Sequence, residues 1–111
     1  EEVDLSQTWG ALARLLQHRN PCVRADAMAP KARIARRHNR SETLKTFLRF
    51  LEDRSAMVRC ACARSLACIA DCCDMEVGLA LVDHLADDDS DVQEEAVRAL
   101  RLLIDAGMDG S

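Results

Sequence analysis

The chain superposes on itself at a spacing of 34 to 35 residues, and a period of that length decides the architecture before any other signal is read. Leu16, Leu51 and Leu85 each stand seven residues before Val23, Val58 and Val92. From each valine a small residue follows at plus four (Ala27, Cys62, Ala96) and a branched apolar one at plus eleven (Ile34, Ile69, Leu103). Those offsets return to one side of a 3.6-residue helix. A first helix precedes each valine pattern, marked by Trp9, Leu12 and Leu16, by Leu44, Phe47 and Leu51, and by Leu81 and Leu85, with Gly78 weakening the third copy. Start signals agree: Ser6, Ser41 and Asp74 stand where first helices need caps, and Asn20-Pro21 supplies a cap followed by proline at the first helical position. Ser55 and Ser90 stand near the other second-helix starts, and Gly107 is expected to close the last helix.

A unit of about 35 residues made of two helices and a turn cannot bury its apolar faces alone, so the units must stack. On the last helix Val92, Ala96, Val97, Leu100, Leu103 and Ile104 span an arc of about 160° at 100° per residue. That is wide for an end, and a further repeat or a partner is expected to cover it, as in a piece of a longer array.

Composition bounds the chemistry. The 111 residues are 49% hydrophobic, but aromatic residues are only 3%, with one Trp, two Phe and no Tyr. That scarcity argues against a site that stacks nucleobases on rings and against aromatic interface anchors. No charged-then-apolar leader opens the sequence, so the six cysteines read as reduced thiols and the expected setting is intracellular, the cytoplasm first with the nucleus as the alternative. Apolar runs fall far short of the roughly 20 residues that span a bilayer. The net charge of −4 hides a strong separation: residues 14 to 64 carry 13 Lys/Arg against 4 acids, and residues 71 to 109 carry 2 Arg against 12 acids. Such a split either steers charged partners or lets neighbouring repeats attract one another.

The turns Leu51-Glu52-Asp53 with Met57-Val58-Arg59, and Leu85-Ala86-Asp87 with Asp91-Val92-Gln93, resemble those of the HEAT-repeat family. The resemblance implies an all-α, right-handed α-solenoid of three helix-turn-helix repeats in one domain over residues 1–111, with repeats at 5–38, 41–73 and 74–107. It also implies a ladder in which Asp53 and Asp87 meet Arg24 and Arg59, left incomplete by His18 and Gln93. Lys31 stands where Leu66 and Leu100 stand in the other copies, and Pro30 precedes it. Proline inside a helix removes one backbone hydrogen bond and crowds the preceding turn. A kink is therefore expected there, which either marks an imperfect terminal repeat or aims Lys31 at a ligand.

HEAT solenoids present their second helices to ligands. Positions opposite the valine face form three rows: Ala29, Arg64 and Arg98; Arg33, Cys68 and Leu102; and Arg36, Asp71 and Asp105. Arg37 and Cys72 flank them. Arginine grips carboxylates and phosphates with a two-pronged donor geometry, so Arg33, Arg36, Arg37, Arg64, Cys68, Arg98 and Leu102 are the expected contact residues for a protein or peptide carrying acidic groups. The same face read as a solvated surface is the plain alternative.

No cofactor, metal or catalytic site is expected. Cys60, Cys62, Cys68, Cys72 and Cys73 cluster in sequence, but Cys62 and Cys73 project to the buried side and the others away, so they do not converge on one tetrahedral ion. Asp87-Asp88-Asp89-Ser90-Asp91 lacks the glycine and the final glutamate of a calcium loop, having Val92 and Arg98 there; its acids suit a solvated turn before a helix start. The His-Glu pairs of HEAT-like hydroxylases are missing, and the histidines read as surface or turn residues. Two further functions stay open: phosphate-backbone binding by Arg24, Lys31, Arg33, Arg36, Arg37, Arg40 and Lys45, and a spacer role with no ligand at all.

Overall fold

The computed structural model describes residues 5–37, 39–70 and 74–110. They form six helices: α1 (Leu5–Leu16), α2 (Pro21–Ala35), α3 (Arg40–Phe50), α4 (Ala56–Ile69), α5 (Met75–Asp83) and α6 (Ser90–Gly110), with a 3-10 turn at His84–Ala86. Each odd helix packs on the even one that follows, and the even helices form a continuous layer in which α4 lies between α2 and α6. The result is a three-repeat α-solenoid of 38 × 34 × 19 Å.

The core follows the repeat. Leu16 and Leu51, Phe47 and Leu81, Val58 and Val92, Ala27, Cys62 and Ala96 are all buried. Small residues at plus four let the even helices approach closely, and the Cys62 thiol lies 2.9 Å from the Phe47 carbonyl oxygen, to which it donates. The third copy departs from the expectation. Leu85 is 40% exposed and His84 takes the buried place beside it. Gly78 adds no side chain to α5, which stops at Asp83 and continues as the 3-10 turn; that turn places His84 inward, with Nε2 2.7 Å from the Leu51 carbonyl and Nδ1 2.9 Å from the Ala80 carbonyl. The surface reading of this histidine is therefore corrected. His38 lies outside the described residues.

Arg24 and Arg59 hold the repeats together. The Arg24 guanidinium donates to both Asp53 carboxylate oxygens at 3.1 and 2.9 Å and to the carbonyls of His18 and Arg19 at 2.8 and 3.0 Å. One repeat on, Arg59 donates to both Asp87 oxygens at 3.0 Å and to the carbonyls of Asp53 and Arg54. Each aspartate also accepts the backbone N–H two residues ahead, from Ser55 and from Asp89. The two departures keep the local half of this clamp and drop the half that crosses repeats. His18 Nδ1 accepts the Asn20 N–H, as the aspartates do, and Gln93 Nε2 donates to the Asp87 carbonyl, as the arginines do to their own turns.

Several starts differ from the sequence expectation. Asn20 caps α2 as anticipated, its Oδ1 accepting the Cys22 N–H at 2.8 Å, with Pro21 at the first helical position. Ser6 and Ser41 instead lie inside α1 and α3, and α3 opens from Asn39 in the left-handed conformation, φ 59°. Asp89 caps α6, accepting the N–H groups of Asp91 and Val92. Asp74 precedes α5 but pairs with Arg40 across the repeats. Gly107 does not end the last helix, which runs to Gly110. α2 passes through Pro30 as one helix. Lys31 is buried rather than aimed at a ligand, its ammonium 3.6 Å from the centroid of the Trp9 ring. That contact answers the substitution of lysine for leucine: the stem fills the core position and the charge rests on the indole face.

Burial pushes the carboxyls of Asp53 and Asp87 up, but the hydrogen bonds and charges of Arg24 and Arg59, with the backbone donors, outweigh it and set both below the usual carboxylate range. Groups with a depressed folded pKa contribute stability that is present above the unfolded value of 3.8 and lost as pH falls through the folded one. Asp87→Asn is therefore expected to cost about 2 kcal/mol at neutral pH and to shrink the acid-induced loss, read as chemical denaturation at a series of pH values.

Lys31 behaves oppositely. Burial lowers its pKa from the ordinary 10.5, partly offset by the Glu42 charge. Its folded state disfavours the ammonium, so the chain is expected to gain stability relative to Lys31→Met as pH rises from neutral towards 10.5. A flat difference between the two denaturation series would refute the burial of the charge.

Candidate functional site

The even helices present one continuous surface, and the contact residues expected from the sequence are placed on it as follows. Arg33, Arg36, Arg37, Arg64, Cys68, Arg98 and Leu102 are all exposed. Arg33, Arg36 and Arg37 line a hollow of about 670 Å³ with Ile34 at the carboxyl end of α2. Arg64 and Arg98 are brought together, but on a protein group: Glu95 Oε2 accepts from Arg64 at 2.9 Å and from Arg98 at 3.1 Å. Glu95 is buried, while both arginine side chains are 65% exposed. One carboxylate thus holds these two arginines at the α4–α6 seam, and they are not part of an arginine row open along its length. Asp71 and Cys72 lie outside the described residues, as does Cys73.

A second concavity was not anticipated. A cleft of about 600 Å³ runs between the amino-terminal halves of α2, α4 and α6. Its apolar lining is Ala25, Ala56, Met57 and Ala61 with Cys60, and its polar lining is Asp26, Asp89, Asp91, Glu94, Glu95 and Arg64. Asp89 is committed to capping α6 and Glu95 to the two arginines, which leaves Asp26, Asp91 and Glu94 as the carboxylates facing solvent. Burial and the negative charges of Asp89, Glu95 and Asp91 raise the Cys60 thiol above its usual range, against the pull of Arg64. Cys60 is therefore a neutral, soft lining group there. The surface is acidic at Asp26 and where α6 begins, and basic where α2 ends. The sequence signal was present in the rows at plus two and plus three from each valine, which hold Ala25, Cys60 and Glu94, and Asp26, Ala61 and Glu95.

The basic patch shrinks for the same reason. Of its seven members Arg24 is clamped on Asp53, Lys31 is buried on Trp9, and Arg40 binds Asp74 and the Ile69 carbonyl. Arg33, Arg36, Arg37 and Lys45 remain exposed. Among the described residues no group of three or more His, Cys, Asp or Glu is placed to hold a metal ion, and no helix is long and apolar enough to cross a membrane. Cys22 and Cys68 are exposed free thiols, and Cys62 is buried with its pKa pushed well up by burial and the nearby Asp53 charge.

Glu95→Ala removes the shared acceptor and sets two neighbouring guanidiniums against each other at the seam. Because both are largely solvated, the expected loss of stability is about 1–2 kcal/mol, with Glu95→Gln retaining part of it. Thermal melts of the two variants check the order.

No curated protein and no solved structure matches the chain. A family model for HEAT repeats matches residues 10–101, most of the chain. That match coincides with the three helix pairs and with both Arg–Asp clamps between them, and the chain belongs to the HEAT-repeat family.

Proposed function

We propose that this chain is a protein-interaction module that binds an extended peptide segment on its even-helix face, with basic residues of the segment entering the cleft between α2, α4 and α6. HEAT repeats are commonly protein-interaction scaffolds, and the carrying observation is the cleft itself. It offers an apolar lining at Met57 and Ala61 flanked by the solvent-facing carboxylates Asp26 and Asp91. Long lysine and arginine stems suit such a site, since their methylenes cover apolar surface while the charged head reaches a carboxylate. Acidic residues of the same segment would face Arg33, Arg36 and Arg37, the arginines of the expected site that no carboxylate holds among the described residues. Arg64 and Arg98 act in this reading as the fixed divider between the two ends.

The hollow formed by Arg33, Arg36 and Arg37 also favours a second reading, phosphate-backbone binding. It ranks below the first because Arg24, Lys31 and Arg40 are spent inside the protein, and because the acidic third repeat repels a polyanion. Fluorescence anisotropy with three labelled probes of equal length, a basic-apolar peptide, an acidic peptide and a single-stranded oligonucleotide, separates the readings. The basic-apolar peptide is expected to bind best and to lose about tenfold in affinity, about 1.4 kcal/mol, in Asp26→Lys/Asp91→Lys. Tightest binding of the oligonucleotide, falling steeply with salt and lost in Arg33→Glu/Arg36→Glu/Arg37→Glu, would reverse the order. A spacer binds none of the three.

A further inference from the structure

The two ends of the stack are built differently. Positions at plus three and plus seven from each valine face the preceding repeat: Glu95 and Ala99, and Ser65, are buried there. In repeat 1 the same places hold exposed Asp26 and Pro30, so the outer face of repeat 1 carries no large apolar side chain at these two positions. Positions at minus seven, plus five and plus twelve face the following repeat. Repeat 1 buries Leu16, Met28 and Ala35 there, and repeat 2 buries Leu51 and Ala63. Repeat 3 places Leu85, Val97 and Ile104 at these positions, and they are 40, 46 and 59% exposed. Val82, 50% exposed, extends the same side one turn back along α5. Leu85, Val97 and Arg101 come together in a shallow depression with Gln93, Glu94 and Arg98.

This face is apolar, yet it differs from the two junctions inside the stack. Gln93 stands where Arg24 and Arg59 reach across to the next aspartate, and its amide is turned back to the Asp87 carbonyl. Arg101 stands at plus nine, where Ala32 and Ala67 allow close helix packing in the other copies. What the face does have is charge of both signs, three residues before and four residues after its apolar centre at Val97. Glu94 and Arg101 lie one on each side of Val97, on one stripe of α6, and neither is held in an ion pair among the described residues. When such a helix packs antiparallel on its own copy about a two-fold axis beside Val97, Val97 meets Val97 of the other copy and each Glu94 meets an Arg101. Both ion pairs form at once, as an isologous interface requires.

We infer that the outer face of repeat 3 is a self-association surface, on which α6 of a second copy of this chain packs antiparallel through Val97 with reciprocal Glu94–Arg101 pairs. Glu94 lines both this surface and the cleft, so self-association draws one carboxylate away from the peptide site while Asp26 stays outside the interface.

Sedimentation velocity from micromolar to millimolar concentration tests this, with circular dichroism confirming that each variant is folded. The wild-type chain is expected to shift reversibly from monomer to dimer as concentration rises, and Val97→Glu to remain monomeric. Glu94→Arg and Arg101→Glu are each expected to weaken the dimer about tenfold, since each sets like charges opposite one another. The double variant Glu94→Arg/Arg101→Glu restores opposite charges across the interface and is expected to return the association to near the wild-type level. Residues seven apart on one helix do not touch within a chain, so rescue reports a contact between copies. A wild-type chain that stays monomeric to millimolar concentration would overturn the inference and leave the face to a helix pair of other origin. Dimers whose double variant is as weak as the singles would overturn the antiparallel pairing.

Discussion

One guanidinium per junction carries the architecture. Arg24 and Arg59 each close the turn of their own repeat through two backbone carbonyls and bind the aspartate of the next repeat through two parallel hydrogen bonds. A turn between helices leaves carbonyls without helical partners, and a stack of helix pairs needs a fixed offset between neighbours. The planar five-donor fork of arginine answers both with one side chain, which lysine cannot do. The aspartates complete the unit by accepting the N–H two residues on, so the turn geometry and the stacking register are set by the same atoms. With side chains largely shielded from water, these pairs are less screened than surface ion pairs, and their hydrogen bonds leave few polar groups unmatched.

The chemistry left for function is what this constraint does not use. Charged residues are plentiful, but many are consumed at the junctions: Arg24, Arg59 and Arg40 bind aspartates, and Glu95 holds Arg64 and Arg98. Three of those pairings, Arg40–Asp74, Arg59–Asp87 and Arg64–Glu95, join the basic stretch of the chain to the acidic one. The remaining free charges include acids at Asp26 and at the start of α6 and a basic group where α2 ends. A surface poor in aromatic rings then depends on Met57, Ala61 and Leu102 for apolar contact and on carboxylates and guanidiniums for orientation.

Much of the fold was legible because the physics is periodic. The valine, small and branched apolar positions repeat at helical offsets, and they map onto buried residues in all three units apart from a half-buried Ile34 and Val23 in the first. The Asn20-Pro21 start and the two Arg–Asp clamps also follow from local chemistry and from family resemblance. Misplaced details share a cause: a residue's type does not reveal which neighbour it meets. Leu85 fits the repeat pattern, yet the short α5 and its 3-10 ending turn His84 into the core instead. Ser41 is a good cap by type, but the chain enters α3 earlier, through Asn39.

The sequence by itself determined the number of repeats and the helical class, because backbone periodicity and turn chemistry act over a few residues. Only the tertiary structure decided which charges are free. Whether Arg64 is a ligand-binding group or one half of a seam with Glu95, and whether Lys31 reaches solvent or lies on Trp9, depends on groups 31 and 22 residues away in sequence. Those distances are closed by packing of α4 against α6 and of α2 against α1, and once closed, a nearby opposite charge or an aromatic face outweighs the pull of water on a flexible side chain.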